Sequence, residues 1–387
     1  MKKKKEDKKT LGINLLYNPS GGSLEQIKKI FEHLSEYDFN NFVIYATPNN
    51  LHLIDASLDA KIKIRCSRFA AINLITRTIW EQLLLPLYLL VDSVSVIFCP
   101  GNIAPILSFT KKAQWIGTIG PFEEEFVRIY SDYSLWKRFV LFFNKILMLL
   151  SAKTSNHVFF ESFYTQGMFV KKYNFDGRKG SVLQIGKDDY FQPSDLMDNE
   201  SFDSLIRKDY ILSVSHLYPY KNIETLIHAF KRVNETNPDL VLVLAGSTQN
   251  IDYLNNLKKI VHDYELNEIV FFLGNLDRSD LKQYYSNCEC LVFTSPFENF
   301  AYTLVEAMSC GAPIVSSNTT AMPETCMNAA IYFDPYSVDD LYQKINLMLS
   351  DPGNREKYAG RSIERSRELD SYKTINKQTN KILQSIL

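Results

Sequence analysis

Two successive runs of alternating strand and helix patterns, separated by a short polar stretch, constrain this 387-residue chain more than any other feature. The first run opens with the apolar segment Leu11–Tyr17, which ends in Asn18-Pro19-Ser20-Gly21-Gly22 and leads into helical spacing over Leu24–Leu34. Strand patterns follow at Phe42–Ala46, Ile62–Ile64, Val94–Cys99, Gln114–Ile119, Val158–Glu161 and Ser181–Ile185, with helical patterns over Ser134–Leu150 and Ser162–Tyr173. Residues 192–209 are polar and acidic, the composition of a linker. The second run has strands at Tyr210–Ser215, Leu240–Ala245, Ile269–Leu273, Cys290–Thr294, Pro313–Ser316 and Ile331–Phe333. Helical patterns separate or follow them at Ile223–Asn234, Tyr253–Tyr264, Asp280–Asn287, Thr303–Ser309, Val338–Ser350 and Asn354–Asp370. Such alternation implies parallel sheets, because parallel neighbours need a crossover and the crossover helices bury both faces. The expected fold is α/β, with two Rossmann-like doubly wound domains facing each other across a cleft. Their expected bounds are 1–191 and 210–371, with a linker at 192–209 and a helix at 372–387 packing back on the N-terminal domain.

Charge and cysteines narrow the setting. The net charge is −1, but residues 1–190 hold 25 Lys and Arg against 18 Asp and Glu, and the remainder 18 against 26. That balance gives no reason to expect a nucleic-acid partner. The run Lys2-Lys3-Lys4-Lys5, with Lys8 and Lys9, is either a solvated terminus or a contact for anionic lipid headgroups. Six cysteines lack metal-ligand spacing, and Cys288-x-Cys290 is one residue too tight for a zinc knuckle. Without a signal peptide pattern, this predicts reduced thiols and a cytoplasmic enzyme, at the inner face of a membrane if the basic start touches lipid. The apolar stretches Leu83–Val91 and Phe139–Leu150 are too short to span a bilayer, and the second reads as a buried or interfacial helix.

The segment richest in chemistry runs from Ser295 to Pro313. It starts where a strand ends and enters a helix, with Glu298 before the helix and Glu306 two turns inside it. The amides of Phe300, Ala301, Tyr302 and Thr303, together with Asn299, would face a ligand at the helix start, where the dipole favours an anion. Two carboxylates can accept hydrogen bonds from sugar and ribose hydroxyls. The alternative for the same residues is structural, Glu298 as a cap and Glu306 as a surface ion pair.

The whole segment resembles the signature of the retaining glycosyltransferases of family 4, which have the GT-B fold and are also called glycosyl transferases group 1. Ser295, Glu298, Phe300, Glu306, Ala307, Met308, Gly311 and Pro313 match, Ile314 replaces a valine, and Ala301 stands where glycine is usual. Pro323-Glu324 matches a following Pro-Glu. The stretch Ser213-Val214-Ser215-His216, with Lys221-Asn222, resembles the family's first turn of the second domain, His216 replacing an arginine. Gly274 and Asn275 lie in a loop that resembles the one near the nucleobase, and Gly21-Gly22 matches the N-terminal glycine loop. Thr118 to Glu125 stands where many members carry Thr-x-His-Asp, and holds no histidine.

That resemblance implies an N-terminal acceptor-binding domain and a C-terminal domain that binds a nucleotide-diphosphate sugar. It implies catalytic roles for Glu298, Lys221 and His216. It also implies donor contacts from Gly21, Gly22, Gly274, Asn275, Asn299 to Thr303 and Glu306. No metal or cofactor is expected, since no Asp-x-Asp motif is placed to hold a cation and Lys221 with helix amides must neutralise the diphosphate. The implied reaction is transfer of the sugar to a saccharide or lipid-linked saccharide, in cell-surface polysaccharide synthesis. The competing class is a sugar-nucleotide-binding protein of the same fold without transferase activity. A dinucleotide oxidoreductase is disfavoured, because no strand-to-helix turn carries Gly-x-Gly-x-x-Gly.

Overall fold

A computed structural model describes residues 9–19, 21–54, 62–131, 134–194 and 209–387. The basic run before Lys9 and most of the expected linker lie outside these residues. The chain divides into two compact units. The first comprises Met1–Phe122, Trp136–Gly186 and Tyr372–Leu387, and the second Glu123–Leu135 and Lys187–Ser371.

The first unit is built on β1 (Thr10–Leu15), β2 (Asn41–Ala46), β3 (Ile62–Cys66), β4 (Val96–Cys99), β5 (Lys111–Ile116), β6 (His157–Phe160) and β7 (Gly180–Val182). All neighbours pair parallel, in the order β3-β2-β1-β4-β5-β6-β7. The inner strands β1, β2, β4, β5 and β6 bury side chains on both faces, which explains why the sequence shows apolar runs there rather than alternation. On one face, α1 (Gly22–Glu32) packs over Ile13, Ile44, Phe98 and Trp115. The other face carries α2 (Leu74–Ile79), a π-helical turn at Trp80–Leu84, and α3 (Leu85–Val91). After α4 (Glu124–Ser131), which groups with the second unit, α5 (Leu135–Thr154) and α6 (Phe163–Tyr173) cover Ile116, Val158 and Phe160 on that same face.

Leu74–Val91 revises an expectation. The sequence suggested an apolar stretch only from Leu83, because Thr76, Arg77, Thr78, Glu81 and Gln82 dilute the pattern upstream. In the structure α2, the π-helical turn and α3 form one helical stretch of 18 residues with mean hydropathy 1.3, long and apolar enough to cross a membrane. Its inner side nonetheless packs on the sheet, where Trp80, Leu85 and Leu89 join Tyr45 and Ile97 in a buried cluster.

The second unit contains β8 (Tyr210–Val214), β9 (Val241–Ala245), β10 (Val270–Gly274), β11 (Cys290–Phe293), β12 (Ile314–Ser317) and β13 (Ala330–Phe333). Its parallel order is β10-β9-β8-β11-β12-β13. Around it lie α7 (Ile223–Thr236), α8 (Ile251–Asp263), α9 (Arg278–Asn287), α10 (Tyr302–Ser309), α11 (Met322–Cys326), α12 (Val338–Leu349) and α13 (Pro352–Glu368). Side-chain oxygens of Asn250, Asp277, Ser337 and Asp351 accept from first-turn amides of α8, α9, α12 and α13, which is why those helices begin where they do. Strand order reverses between β8 and β11, and the crevice at such a reversal is where open α/β sheets take ligands.

The final helix, α14 (Tyr372–Ser385), belongs to the first unit. Ile375 and Leu383 enter its core, and Asn376 accepts from the Tyr37 hydroxyl at 2.8 Å while donating to the Tyr372 and Lys29 carbonyls. Residues 123–135 and 187–191 group with the second unit, which differs from a boundary at 191. Lys187 there donates its amide to Asp370 at 2.9 Å and bridges Ser371, and α4 packs on the turn after β8. All six cysteines are free thiols, five of them buried.

Asp92, just past α3, ties three elements of the first unit together. Its carboxylate accepts from Arg65 Nε and Nη2 at 2.6 Å, Lys63 Nζ at 2.7 Å and Tyr45 Oη at 3.0 Å. Burial opposes its ionisation, but the bonds from Arg65, Lys63 and Tyr45 outweigh burial and hold the carboxyl down to about 2. Asp92→Asn should therefore lower unfolding free energy at pH 7 by about 1–3 kcal/mol, the range for charge-assisted hydrogen bonds. A depressed carboxyl pKa contributes stability above the unfolded value near 4 and loses it as pH falls towards about 2. Urea unfolding curves at pH 7 and pH 3 should show the deficit shrinking at the lower pH; a deficit that does not change with pH would contradict this account of the carboxylate.

Candidate functional site

The loops after β8, β9, β10 and β11 in the second unit meet at the carboxyl edge of the sheet. Backbone bonds join the first three: Ser215 donates to Ala245 at 3.0 Å, Leu217 to Ser247 at 3.1 Å, and Gly246 to Gly274 at 2.7 Å. Gly246 sits at φ +132°, and a Cβ there would stand 1.9 Å from the Ser215 carbonyl oxygen. Only glycine lets the β8 and β9 turns approach this closely. Asn275 accepts from the Ser247 amide at 3.1 Å, fixing the β9 loop, and Gly274 adopts φ +68° before it. His216 is exposed, with Nδ1 3.3 Å from the Ser247 carbonyl oxygen, so its ring stands at the mouth of these turns.

A tight 3-10 turn, Pro219–Lys221, brings Lys221 to the edge, and Asn222 in the left-handed region starts α7. Thr294 Oγ1 donates to the Lys221 carbonyl at 2.7 Å, tying this turn to the end of β11. The Lys221 ammonium then donates to the Glu298 carboxylate in an ion pair whose side chains keep 14% and 16% exposure. Burial disfavours the ammonium, yet Glu298 and the adjacent Tyr220 more than offset this and hold Lys221 above the usual lysine range. Thr320 Oγ1 accepts from the Glu298 amide at 3.1 Å, and Ser317 and Thr319 hydroxyls donate to the Ser295 and Pro296 carbonyls. The loop carrying Glu298 is thus fastened to the loop after β12.

Beyond it, Asn299, Phe300 and Ala301 are buried, and α10 begins at Tyr302. Ala301 is the N-cap residue, and no side chain caps this terminus. The positive end of the helix dipole lies at this first turn, which carries Tyr302 and Thr303. Glu306 extends from the second turn, where the buried Tyr285 hydroxyl donates to it at 3.2 Å. Burial and Glu306 together push the Tyr285 phenol well above its ordinary value, so it stays a donor. Gly311 at φ +81° ends α10, its amide bonding Met308 at 3.1 Å. Its place in the motif is a helix stop.

An aromatic ridge borders the ion pair. Tyr218 and Tyr220 stack at 5.8 Å, and Lys221 Nζ lies 5.2 Å from the Tyr220 ring. Phe126 of α4 packs on Tyr220 at 5.1 Å and edge-on to Phe297 at 6.1 Å, with Tyr130 stacked behind it. Phe122, just before α4, is core in the first unit, against Phe169 and Tyr173. Gly21 and Gly22 stand at the start of α1 in the first unit, Gly21 at φ +53°. Among the described residues no group of three His, Cys, Asp or Glu is poised to hold a metal ion.

Residues 197–365 match the family described as glycosyl transferases group 1. That match covers less than half of the chain and lies within the second unit. O-antigen chain mannosyltransferase RfbU of Salmonella typhimurium is 31% identical over 193 residues, 49% of this chain and 50% of that protein. The chain spans no more than half the length of the first curated relatives it matches. Among solved structures, sucrose-phosphate synthase from Thermosynechococcus elongatus aligns with TM-score 0.75 at 17% identity, over 98% of this chain and 99% of that one. Anabaena HepE, in complex with UDP-glucose, aligns with TM-score 0.71 at 17% identity, over 97% and 99%. These likenesses concern the fold, and the fold is GT-B.

Within the matched region, the structure brings Lys221 and Glu298 into contact, places Glu306 in α10, and sets His216, Gly274 and Asn275 on adjoining turns. Sequence reasoning missed Tyr285, Thr294, Thr320 and Phe126. The first three are ordinary polar residues whose importance comes only from contacts across the sheet. Phe126 sits beside Glu123–Glu125, where Glu125 pairs with Arg128 at 3.0 Å and bonds Tyr336.

The ion pair makes a stability prediction that needs no ligand. Lys221→Met, Glu298→Gln and the double variant, compared by urea unfolding, should give a coupling of about 1–2 kcal/mol. A raised lysine pKa contributes stability below the unfolded value near 10.4, lost only as pH climbs through the higher folded value. The coupling should hold constant from pH 7 to pH 10; additive single effects would show that the two side chains do not stabilise one another.

Proposed function

We propose that the protein is a retaining glycosyltransferase that moves a sugar, such as a mannosyl group, from a nucleotide-diphosphate donor to a saccharide or lipid-linked saccharide acceptor. The observation that carries this reading is the Lys221–Glu298 pair, set just before α10 inside the region that matches group 1 glycosyl transferases. A cation, the positive end of a helix dipole and a carboxylate near one helix start match a diphosphate with a hydroxyl-bearing sugar attached. Surface polysaccharide synthesis is the setting favoured by the similarity to an O-antigen mannosyltransferase.

In this scheme the donor exchanges the partners already present. The diphosphate takes Lys221 and the α10 amides, while Glu298, released from the ammonium, accepts from sugar hydroxyls. Glu306, oriented by Tyr285, accepts from the ribose. As the glycosidic C–O bond breaks, negative charge grows on the departing diphosphate, where Lys221 and His216 stabilise it. The acceptor hydroxyl bonds to the anomeric carbon on the face the diphosphate leaves, and its proton passes to a diphosphate oxygen. Neutralisation by Lys221, His216 and amides makes the reaction independent of added metal.

The test is a transfer assay over a panel of nucleotide sugars with measured donor affinity. Glu306→Ala should weaken donor binding about tenfold, the loss of one charge-assisted hydrogen bond. Glu298→Ala should lower turnover about 10²-fold or more, since its contact is to the reacting sugar. His216→Ala should cost about 1–3 kcal/mol in turnover, and EDTA should leave the wild-type rate unchanged. Affinity and turnover affected equally in both glutamate variants would contradict their assignment. Tight donor binding without transfer to any acceptor would contradict the transferase reading itself.

A further inference from the structure

The helices on one face of the first unit's sheet turn apolar side chains outward, where a soluble surface would be polar. Cross-strand register puts α3 and α5 on the same face: Ile97 and Cys99 pack under α3, Cys99 pairs with Gln114 and Gln114 with Val158, and Val158 packs under α5. Along the α2–α3 stretch, Ile75, Ile79, Leu83, Leu87 and Val91 form an exposed stripe at helical spacing, opposite buried Trp80, Leu85 and Leu89. Along α5, Phe139, Phe142, Phe143, Ile146 and Leu150 form a second, opposite buried Leu147, Met148 and Ala152. Between them runs the loop before β5, anchored by Gln82 to Ala104 and Ile106 and by Lys112 to Pro105 and Ile106. Its tip carries Leu107 and Phe109, 79% and 94% exposed.

So much adjacent exposed apolar surface marks an interaction face, and its charges select the partner. Lys111, Lys137, Arg138 and Lys153 are exposed around it. The one carboxylate in residues 72–91, 103–112 and 136–154 is Glu81, which is buried and accepts from Asn14. A second copy meeting this face about a two-fold axis would set these exposed cations against one another. A lipid leaflet with anionic headgroups satisfies both features, taking the aliphatic and aromatic side chains at the acyl boundary and the ammonium groups at the phosphates.

We propose that this face, formed by the α2–α3 stretch, the Leu107–Phe109 tip and the outer side of α5, seats the protein on an anionic membrane surface. The α2–α3 stretch lies along the bilayer rather than across it, because Trp80, Leu85 and Leu89 are committed to the core. The seat belongs to the first unit alone, so it stands or falls separately from the donor-site reading.

The experiment is sedimentation of the full chain with sucrose-loaded vesicles of phosphatidylcholine, pure or with about 30% phosphatidylglycerol. The wild type should partition to the anionic vesicles at least about tenfold better than to the neutral ones, and less at high salt. Leu87→Glu with Phe142→Glu should weaken that binding about tenfold or more, and Lys137→Gln with Arg138→Gln about fivefold or more. Both variants should keep the wild-type melting temperature and nucleotide affinity, which separates a lost seat from a lost fold. Equal binding to neutral and anionic vesicles would overturn the proposal, as would Glu variants that bind like the wild type. A chain that ignores vesicles but forms dimers dispersed by Leu87→Glu with Phe142→Glu would overturn it in favour of a second copy.

Discussion

A parallel strand delivers its last carbonyl and the next helix's first amides to the same edge of the sheet, and the second unit's donor edge follows from this geometry. Strand order reverses between β8 and β11, the place where open α/β sheets take ligands, and the loops that leave these strands bring Lys221 from one against Glu298 from the other. The close contact of Gly246 on the Ser215 carbonyl sets how near the β8 turn comes to its neighbour, and Thr294 fixes the Lys221 turn to β11. Tertiary hydrogen bonds, rather than local propensity, hold the site.

Electrostatics at this edge are balanced in the absence of ligand. A half-buried ammonium beside a helix N-terminus would repel that terminus if left alone. Glu298 neutralises it, at the expense of occupying the very group that a sugar hydroxyl would use. Burial makes either charge costly without its partner, so ligand entry must exchange partners rather than strip them. Tyr285 solves a smaller version of the same problem for Glu306, since its hydroxyl orients the carboxylate without adding charge.

Much of this was legible in the sequence because the inner strands of both parallel sheets are buried, which writes them as apolar runs and sets glycine, proline or asparagine at many of the turns between. The segment from Ser295 to Pro313 announced a strand end, a helix start and two carboxylates. It did not distinguish Gly311, a helix stop, from residues that face a ligand, because both recur in the same short window. Tyr285 and Thr320 left no local signal, as their roles arise from contacts across the sheet. Phe126 was read with the first domain, yet its ring joins the second unit's aromatic ridge. The outward stripe of α2 and α3 was also hidden, since interspersed threonines and the buried Glu81 broke the apolar run while helical geometry collected its leucines and isoleucines on one side.

The central claim is that the Lys221–Glu298 pair is the ligand-free form of a diphosphate-sugar clamp. A crystal structure of the chain with a bound nucleotide-diphosphate sugar tests it most directly. The account predicts a diphosphate oxygen within about 3 Å of Lys221 Nζ and a sugar hydroxyl at hydrogen-bond distance from Glu298. A bound donor that leaves the Lys221–Glu298 pair intact, with its diphosphate held elsewhere, would contradict it.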